Sequence, residues 1–238
     1  MAEKPELASK QEVEAFYNSF KEHQLDLGVN VRHRTIFKNL KKIGLKPGSN
    51  VLEIGCGIGT VSSLILSYIT RGKFVGADIS DESIAVAKKI NAKHTNAEFI
   101  VNDMSAFSHK TVFDFVVLPD VMEHIPVEQH NNLFKVLSAV TSPNAVVLIN
   151  FPEPHYLNWV RKNNPEKLQI IDQSLSMQDL LNDCYPHGFK LFSMHSYTLH
   201  YTQPDYTSVV LKKNMDIEQF QLKSAVARGL QNTRSKLY

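Results

Sequence analysis

The stretch VLEIGCGIGT, residues 51–60, decides the fold. An apolar run leads into three glycines, Gly55, Gly57 and Gly59, and apolar side chains at helical spacing follow them. A strand that ends in a glycine turn and opens a helix is where α/β sheets bind nucleotides. Glycine lets a ligand approach the backbone, and the start of the helix supplies free N–H groups. The stretch therefore predicts a nucleotide-like ligand at the end of a parallel strand.

Predicted strands and helices alternate on both sides of this turn. The apolar runs predict strands over 50–55, 73–79, 98–103, 113–118 and 145–151, with helices over 60–70, from Ser80 to about Ile90, and from near Pro126. Such alternation predicts parallel strands with helices on both faces. Two further strands, 189–201 and 206–214, are separated only by TQPD and so must be antiparallel. We therefore expect an α/β fold: a doubly wound, mostly parallel sheet with an antiparallel C-terminal strand pair.

The chain divides into three predicted parts. Residues 1–46 form an N-terminal helical cap, because apolar residues recur at helical spacing over 10–43. Residues 47–214 form the Rossmann-like catalytic domain, in which 151–176 is a substrate-side insertion. Residues 215–238 form a basic C-terminal helical tail.

The composition limits the class of protein. The N-terminus is too polar for a signal peptide, and no 18-residue apolar run occurs that would span a membrane. Two distant cysteines, Cys56 and Cys184, argue against a disulfide framework. A net charge of +2 gives no sign of a nucleic-acid partner. We expect a cytoplasmic protein, monomeric or homodimeric, that acts on a small molecule without a membrane partner.

The glycine spacing separates two classes of ligand. Dinucleotide enzymes use G-x-G-x-x-G, and counting from Gly55 places the third glycine on Thr60, so that pattern fails. Asp78 lies nineteen residues after Gly59, at the end of the next strand, where a carboxylate suits ribose hydroxyls. Capping of the following helix is the alternative role for Asp78.

Four motifs in order resemble the class I S-adenosylmethionine-dependent methyltransferases, of the type that acts on small molecules. They are E-x-G-x-G-x-G from Glu53, FVGADIS (74–80), VNDM (101–104) and FDFVVLPDVMEHIP (113–126). The resemblance covers residues 46–150 and implies S-adenosylmethionine as donor, S-adenosylhomocysteine as product, and no metal. The cofactor-binding residues that it implies are Glu53, Gly55, Cys56, Gly57, Gly59, Asp78, Ile79, Asp103, Met104, Leu118 and Pro119.

The resemblance also implies which part of the cofactor each of these residues contacts. Asp78 would bind the ribose, Asp103 the adenine amino group, and Ile79 and Met104 the two faces of the adenine ring. Glu53 would lie near the methionine amino group.

His124 is the candidate general base. It lies at the carboxyl end of the fourth strand, and the ordinary pKa of histidine suits proton removal from a hydroxyl at neutral pH. The alternative is that Glu123 and His124 only begin a helix. His124 favours O-methylation over N-methylation.

Candidate acceptor-binding residues follow the fifth strand. His155, Tyr156, Trp159 and Arg161 combine aromatic faces with a cation, although Tyr156 and Trp159 also fit the packed face of a helix. Tyr17 and the segment VRHR (31–34) lie in the predicted cap, where Tyr17 either contacts substrate or packs in the core.

Three alternatives remain open from the sequence. The first is an N-methyltransferase of a small amine. The second is an RNA or protein methyltransferase, although the fourth-strand segment LPDVM lacks the proline-rich motif of nucleic-acid amino methylases. The third is a non-catalytic partner subunit that binds the cofactor.

Overall fold

The computed structural model describes residues 28–213 together with Gln11, Glu12, Glu14 and Phe16. Tyr17 and the predicted tail helix over 215–238 lie outside the described residues. The division at 46 and 214 therefore remains a prediction.

Within residues 28–213, seven strands form one sheet in the order β3-β2-β1-β4-β5-β7-β6. Strands β1 to β5 are parallel, and β7 lies antiparallel between β5 and β6. The predicted doubly wound sheet with an antiparallel C-terminal pair is confirmed. The strands are β1 (Val51–Ile54), β2 (Phe74–Asp78), β3 (Ala97–Val101), β4 (Phe113–Pro119), β5 (Thr141–Pro152), β6 (Phe189–Tyr197) and β7 (Tyr206–Lys213).

Helices cover both faces of the sheet. They are α1 (Val31–Lys42), α2 (Thr60–Leu66), α3 (Asp81–Ile90), α4 (Val127–Val140), α5 (Pro154–Asn163) and α6 (Met177–Cys184), with single 3₁₀ turns at Met122–His124, Pro165–Lys167 and Tyr185–His187. Helix α3 begins as the sequence predicts, because the Ser80 hydroxyl accepts the Ser83 N–H.

Two buried clusters sandwich the sheet. One contains Ile36 and Leu40 of α1 with Ile65 of α2 against one face. The other contains Phe134 of α4 and Leu180 of α6 against the opposite face. Because α1 packs into the core with fully buried side chains, it is part of the domain as well as a wall of the site.

The structure corrects two predicted elements. The helix predicted over 10–43 is interrupted at 28–30, where Gly28 has a φ of 53° and the Asn30 side chain caps α1. Strand β6 ends at Tyr197 instead of residue 201, because the Asp205 carboxylate accepts the N–H groups of Leu199 and His200 and closes a wider hairpin loop.

Both cysteines are free thiols buried in the core. In the part of the chain that the structure describes, every helix is too short or too polar to cross a bilayer.

Candidate active site

A cavity of about 660 Å³ opens at the carboxyl ends of the parallel strands. This is the edge where open α/β sheets bind ligands, and the volume lies within the roughly 300–1,000 Å³ typical of small-molecule sites. One side, here called the glycine-turn half, is lined by residues that follow β1, β2 and β3. The other, here called the Arg32 half, is formed by Arg32, Asp120, His124, Gln169 and Ile171.

The glycine turn is fixed to the neighbouring strand by its backbone. The N–H groups of Gly55 and Cys56 both donate to the Ala77 carbonyl, at 2.8 and 3.1 Å. Gly55 has a φ of +66°, and a Cβ there would lie 2.2 Å from Cγ2 of Val121. A side chain at position 55 is therefore excluded by both backbone conformation and space.

Asp78 holds the turn in place while lining the cavity. Its Oδ2 accepts the Gly57 N–H at 2.7 Å and its Oδ1 accepts the Ser80 N–H at 2.9 Å. Burial raises the pKa of Asp78, and these N–H donors oppose that shift. The carboxylate thus orders the glycine turn and the start of α3, and it keeps lone pairs for ligand hydroxyls.

Glu53 is a buried carboxyl group at the bottom of the cavity. Its Oε2 accepts the Ser62 hydroxyl at 2.6 Å, and its Oε1 has no hydrogen-bond partner among the described residues. Burial raises the pKa of Glu53 to about 8. A buried carboxyl with an unpaired oxygen fits a ligand that brings a positive charge.

The far end of the glycine-turn half suits a flat ring. Ile79, Asp103 and Met104 all line the cavity, and the neighbouring Ser105 is exposed. The Asp103 carboxylate accepts the backbone N–H and the hydroxyl of Ser105, at 3.0 and 2.7 Å. Met104 has a φ of 64°, which a residue with a side chain rarely adopts.

Nine of the eleven predicted cofactor residues line this cavity. They are Glu53, Gly55, Cys56, Gly57, Asp78, Ile79, Asp103, Met104 and Pro119. Gly59 instead begins α2 with a φ of 83° and packs against Ala87 and Asn91. Leu118 is fully buried in the core beneath the cavity.

The Arg32 half contains a largely buried ion pair. Nε of Arg32 lies 3.2 Å from Oδ2 of Asp120, and an Arg32 terminal nitrogen donates to the Tyr206 hydroxyl at 3.0 Å. Asp120 also accepts the Asn150 side-chain amide at 3.2 Å and has a φ of 57°. The neighbouring carboxylate raises the pKa of Arg32 despite burial, so the guanidinium stays charged.

His124 lines the cavity beside this ion pair, with its side chain 10% exposed. Its Nδ1 lies 2.5 Å from the Ile171 carbonyl oxygen and 3.3 Å from Oδ1 of Asp172. Burial lowers the pKa of His124, and Asp172 opposes that shift. The ring is therefore neutral near pH 7, as a proton acceptor requires.

Glu123 is almost completely buried behind His124. Neither of its carboxyl oxygens has a hydrogen-bond partner among the described residues. Burial and the nearby Asp120 raise the pKa of Glu123 well above its usual range.

The predicted acceptor residues of α5 do not line the cavity. His155 is almost fully exposed and pairs with Glu153 at 3.0 Å. Tyr156 and Trp159 form an aromatic group with Tyr201, with ring centroids 5.1–6.4 Å apart. Arg161 donates to the Asp172 carbonyl at 2.7 Å and so contacts the segment behind His124. Whether any of them binds an acceptor remains a prediction.

Four residues of the Arg32 half were not candidates in the sequence analysis: Arg32, Asp120, Gln169 and Ile171. Arg32 lies within the noted VRHR segment, and Asp120 within the fourth-strand motif. Residues 169–172 lie within the predicted substrate-side insertion over 151–176, but their local sequence singles out no site residue. Among the described residues no group of three or more His, Cys, Asp or Glu is arranged to hold a metal ion.

Comparison with known proteins places this geometry in context. Residues 51–144 match the family model described as a methyltransferase domain. The chain is 29% identical over 143 residues to malonyl-[acyl-carrier protein] O-methyltransferase 2 of Ilyobacter polytropus, covering 57% of this chain and 54% of that protein. It is 31% identical over 123 residues to ribosomal RNA large subunit methyltransferase E of Brachyspira hyodysenteriae, covering 48% of this chain and 58% of that one. The chain thus spans little more than half the length of these relatives.

The fold is shared with solved structures. Magnesium protoporphyrin IX methyltransferase of Synechocystis PCC 6803, crystallised with S-adenosylhomocysteine, superposes with a TM-score of 0.68 at 18% identity. The superposition covers 87% of this chain and all of that one.

Proposed function

We propose that this chain, whose residues 51–144 form a methyltransferase domain of the class I fold, binds S-adenosylmethionine and transfers its methyl group to a small molecule. The observation that carries the proposal is one continuous cavity, with the glycine turn and Asp78 on one side and Arg32, Asp120 and His124 on the other. A donor bound at the glycine turn would face the polar groups of the Arg32 half.

The residues of the glycine-turn half match the chemistry of this donor. Asp78 has lone pairs for ribose hydroxyls, and Ile79 and Met104 supply apolar surface for a flat base. Glu53 supplies a buried carboxyl for the ammonium group. S-adenosylmethionine supplies an already activated methyl group, so the protein needs to place the acceptor in line and exclude water.

The Arg32 half would supply placement and proton removal. Arg32 and Asp120 form a rigid pair that can donate and accept hydrogen bonds to a polar acceptor. His124 is buried, neutral and at the cavity wall, and we assign it the role of general base for a hydroxyl acceptor. This assignment favours O-methylation. An amine acceptor would need no base beyond its own neutral form, so the alternative is N-methylation.

Calorimetry with S-adenosylhomocysteine tests the donor site. We expect Asp78→Asn to weaken binding by roughly 10- to 100-fold, because hydrogen bonds to a charged group contribute about 1.5–3 kcal/mol. The matched control is Asp81→Asn, an exposed carboxylate three residues away in α3, which should bind like the unsubstituted chain. Absence of S-adenosylhomocysteine binding by the unsubstituted chain would reject the donor assignment.

A nucleic-acid acceptor is the second candidate, favoured by the 31% identity to the ribosomal RNA methyltransferase over residues shared with this chain. Methyl transfer from radiolabelled S-adenosylmethionine into fractionated small molecules, total RNA and protein separates the classes. Label in the small-molecule fraction that disappears with His124→Gln supports the proposal. Label in RNA alone supports the second candidate, and binding without transfer to any fraction supports a non-catalytic partner subunit.

A further inference from the structure

We infer that Asp172 is the positioning residue of His124: together with the Ile171 carbonyl, its carboxylate holds the ring in the tautomer that leaves Nε2 as the proton-accepting nitrogen. The inference deepens the proposed function and rests on it, because it assigns a partner to the proposed base. Asp172 lies 48 residues after His124 and belongs to none of the sequence motifs.

The tautomer follows from the atoms around Nδ1. Its neighbours are the Ile171 carbonyl oxygen at 2.5 Å and Oδ1 of Asp172 at 3.3 Å. A carbonyl oxygen only accepts hydrogen bonds, so Nδ1 carries the hydrogen. In a neutral imidazole the lone pair is then on Nε2. An N–H bonded to a backbone carbonyl, with a carboxylate beside it, is a usual way in which proteins fix the tautomer of a working histidine.

The segment that carries these acceptors, here called the strap (residues 169–174), is held by one internal hydrogen bond and by hydrogen bonds to two other parts of the chain. Oδ2 of Asp172 accepts the Gln169 N–H at 2.6 Å, which fixes the carboxylate itself. The Gln173 N–H donates to the Glu123 carbonyl at 2.9 Å, next to His124. Arg161 donates to the Asp172 carbonyl at 2.7 Å from α5. The carboxylate is therefore placed before any ligand binds.

The charges around the ring favour its protonated form during reaction. Asp172 and Asp120 attract a proton on the ring, and Arg32 repels it. Oε1 of Glu123 lies 3.7 Å from Nε2, and burial raises the pKa of that carboxyl well above its usual range. The acceptor proton would pass to Nε2 while the acceptor oxygen bonds to the methyl carbon, and the electrons of the broken carbon–sulfur bond stay on sulfur. Asp172 then stabilises the imidazolium, as a buried aspartate does in hydrolase triads.

Nitrogen NMR on the unsubstituted, ¹⁵N-labelled chain tests the tautomer directly. We expect His124, assigned by loss of its signals in His124→Gln, to carry its hydrogen on Nδ1 at neutral pH. A hydrogen on Nε2, or an equal mixture of tautomers, overturns the inference. This measurement needs no acceptor and no substituted partner residue.

Titration of the same signals tests the carboxylate. We expect Asp172→Asn to lower the pKa of His124 by about one unit, because an adjacent opposite charge shifts a pKa by roughly 1–3 units. The matched control, Asp179→Asn, removes an exposed carboxylate at the first turn of α6 and should leave the titration unchanged. An unchanged His124 titration in Asp172→Asn overturns the inference. If that variant fails to fold, the tautomer of His124 in the unsubstituted chain decides whether the inference stands.

Calorimetry with S-adenosylhomocysteine on the same samples separates the two claims. We expect Asp172→Asn to bind S-adenosylhomocysteine as the unsubstituted chain does, since Asp172 does not line the cavity. Loss of that binding by more than tenfold in a folded Asp172→Asn assigns the residue a structural role and overturns the inference. Failure of the unsubstituted chain to bind rejects the proposed function, whatever the tautomer.

Discussion

The two halves of the cavity contrast in how the chain builds them. The glycine-turn half comes from the ends of three strands that lie next to each other in the sheet, within residues 53–105. The Arg32 half joins the start of α1, the end of β4 and the strap, which together span more than a hundred residues of the chain. The first half offers a ligand close approach to the backbone and single carboxyl groups. The second depends on a buried network of charges, so the two halves should fail in different ways.

Of the substitutions proposed here, Gly55→Ala should have the largest effect, and it should disrupt the glycine-turn half. The left-handed backbone costs alanine about 1–2 kcal/mol, and overpacking against Val121 adds about 1–3 kcal/mol. We expect the free energy of unfolding to fall by about 2–5 kcal/mol and S-adenosylhomocysteine binding to be lost, as measured by denaturant unfolding and calorimetry. Gly48→Ala is the control, since a Cβ there meets nothing within 4 Å. Equal stability and equal S-adenosylhomocysteine binding in the two variants would contradict the steric exclusion of a side chain at position 55.

Arg32→Met should break the other half and leave the first intact. Removing one partner of a buried ion pair costs about 3–5 kcal/mol; because the Arg32 side chain is 29% exposed, we expect about 2–3 kcal/mol of lost stability. S-adenosylhomocysteine affinity should change less than threefold. Lys38→Met, on an exposed position of the same helix, controls for the added methionine. A large loss of S-adenosylhomocysteine affinity would show that the halves are not independent.

The pH dependence of S-adenosylhomocysteine binding should distinguish the two halves of the cavity, because Glu53 belongs to the glycine-turn half. Its pKa near 8 means that the unliganded carboxyl is protonated at pH 7, while a bound ammonium group favours the ionised form. Binding should therefore release a proton, and affinity should weaken by up to about tenfold per pH unit as pH falls below 8. Calorimetry in buffers of different ionisation enthalpy measures this proton, and Glu53→Gln should abolish it.

Glu53 also determines how the stability of the unliganded chain changes with pH. The folded chain binds the Glu53 proton more tightly than the unfolded chain, whose carboxyl has an ordinary pKa near 4.5. Stability should thus fall as pH rises from about 4.5 towards 8 and level off above it. Burial raises the pKa of Asp78, Asp120 and Glu123 in the same direction. Thermal unfolding across this range checks the slope, and a rise in stability with pH would contradict it.

Arg161→Met should give the smallest effect. Arg161 is exposed and its bond to the Asp172 carbonyl is a single contact on the strap, so we expect less than about 1 kcal/mol of lost stability. Amide exchange at Gln173 should be faster by a few-fold, as hydrogen-exchange NMR can measure. Lys162→Met, its exposed neighbour in α5, should leave that exchange unchanged. Unchanged exchange in Arg161→Met would mean that Arg161 does not hold the strap.

The contrast also explains what the sequence could predict. The alternation of strands and helices, the glycine turn and the position of Asp78 could be predicted because local periodicity and short spacings encode them, and the methyltransferase resemblance is confirmed. The roles of Asp172 and Gln169 could not be predicted, because they arise only when the strap folds back onto residues 123–125. The guanidinium of Arg161, a predicted acceptor-binding residue, contacts the strap and not the cavity, and its role stays a prediction.

Two residues with left-handed backbone, Met104 and Asp120, lie on opposite walls of the same cavity. Such backbone costs about 1–2 kcal/mol for residues other than glycine, although aspartate tolerates it better than methionine. At Asp120 the largely buried ion pair with Arg32 outweighs this cost, and at Met104 the buried side chain does, so selection for heat resistance alone should retain both residues. Enrichment of glycine at either position would show that these contacts do not offset the cost of the left-handed backbone.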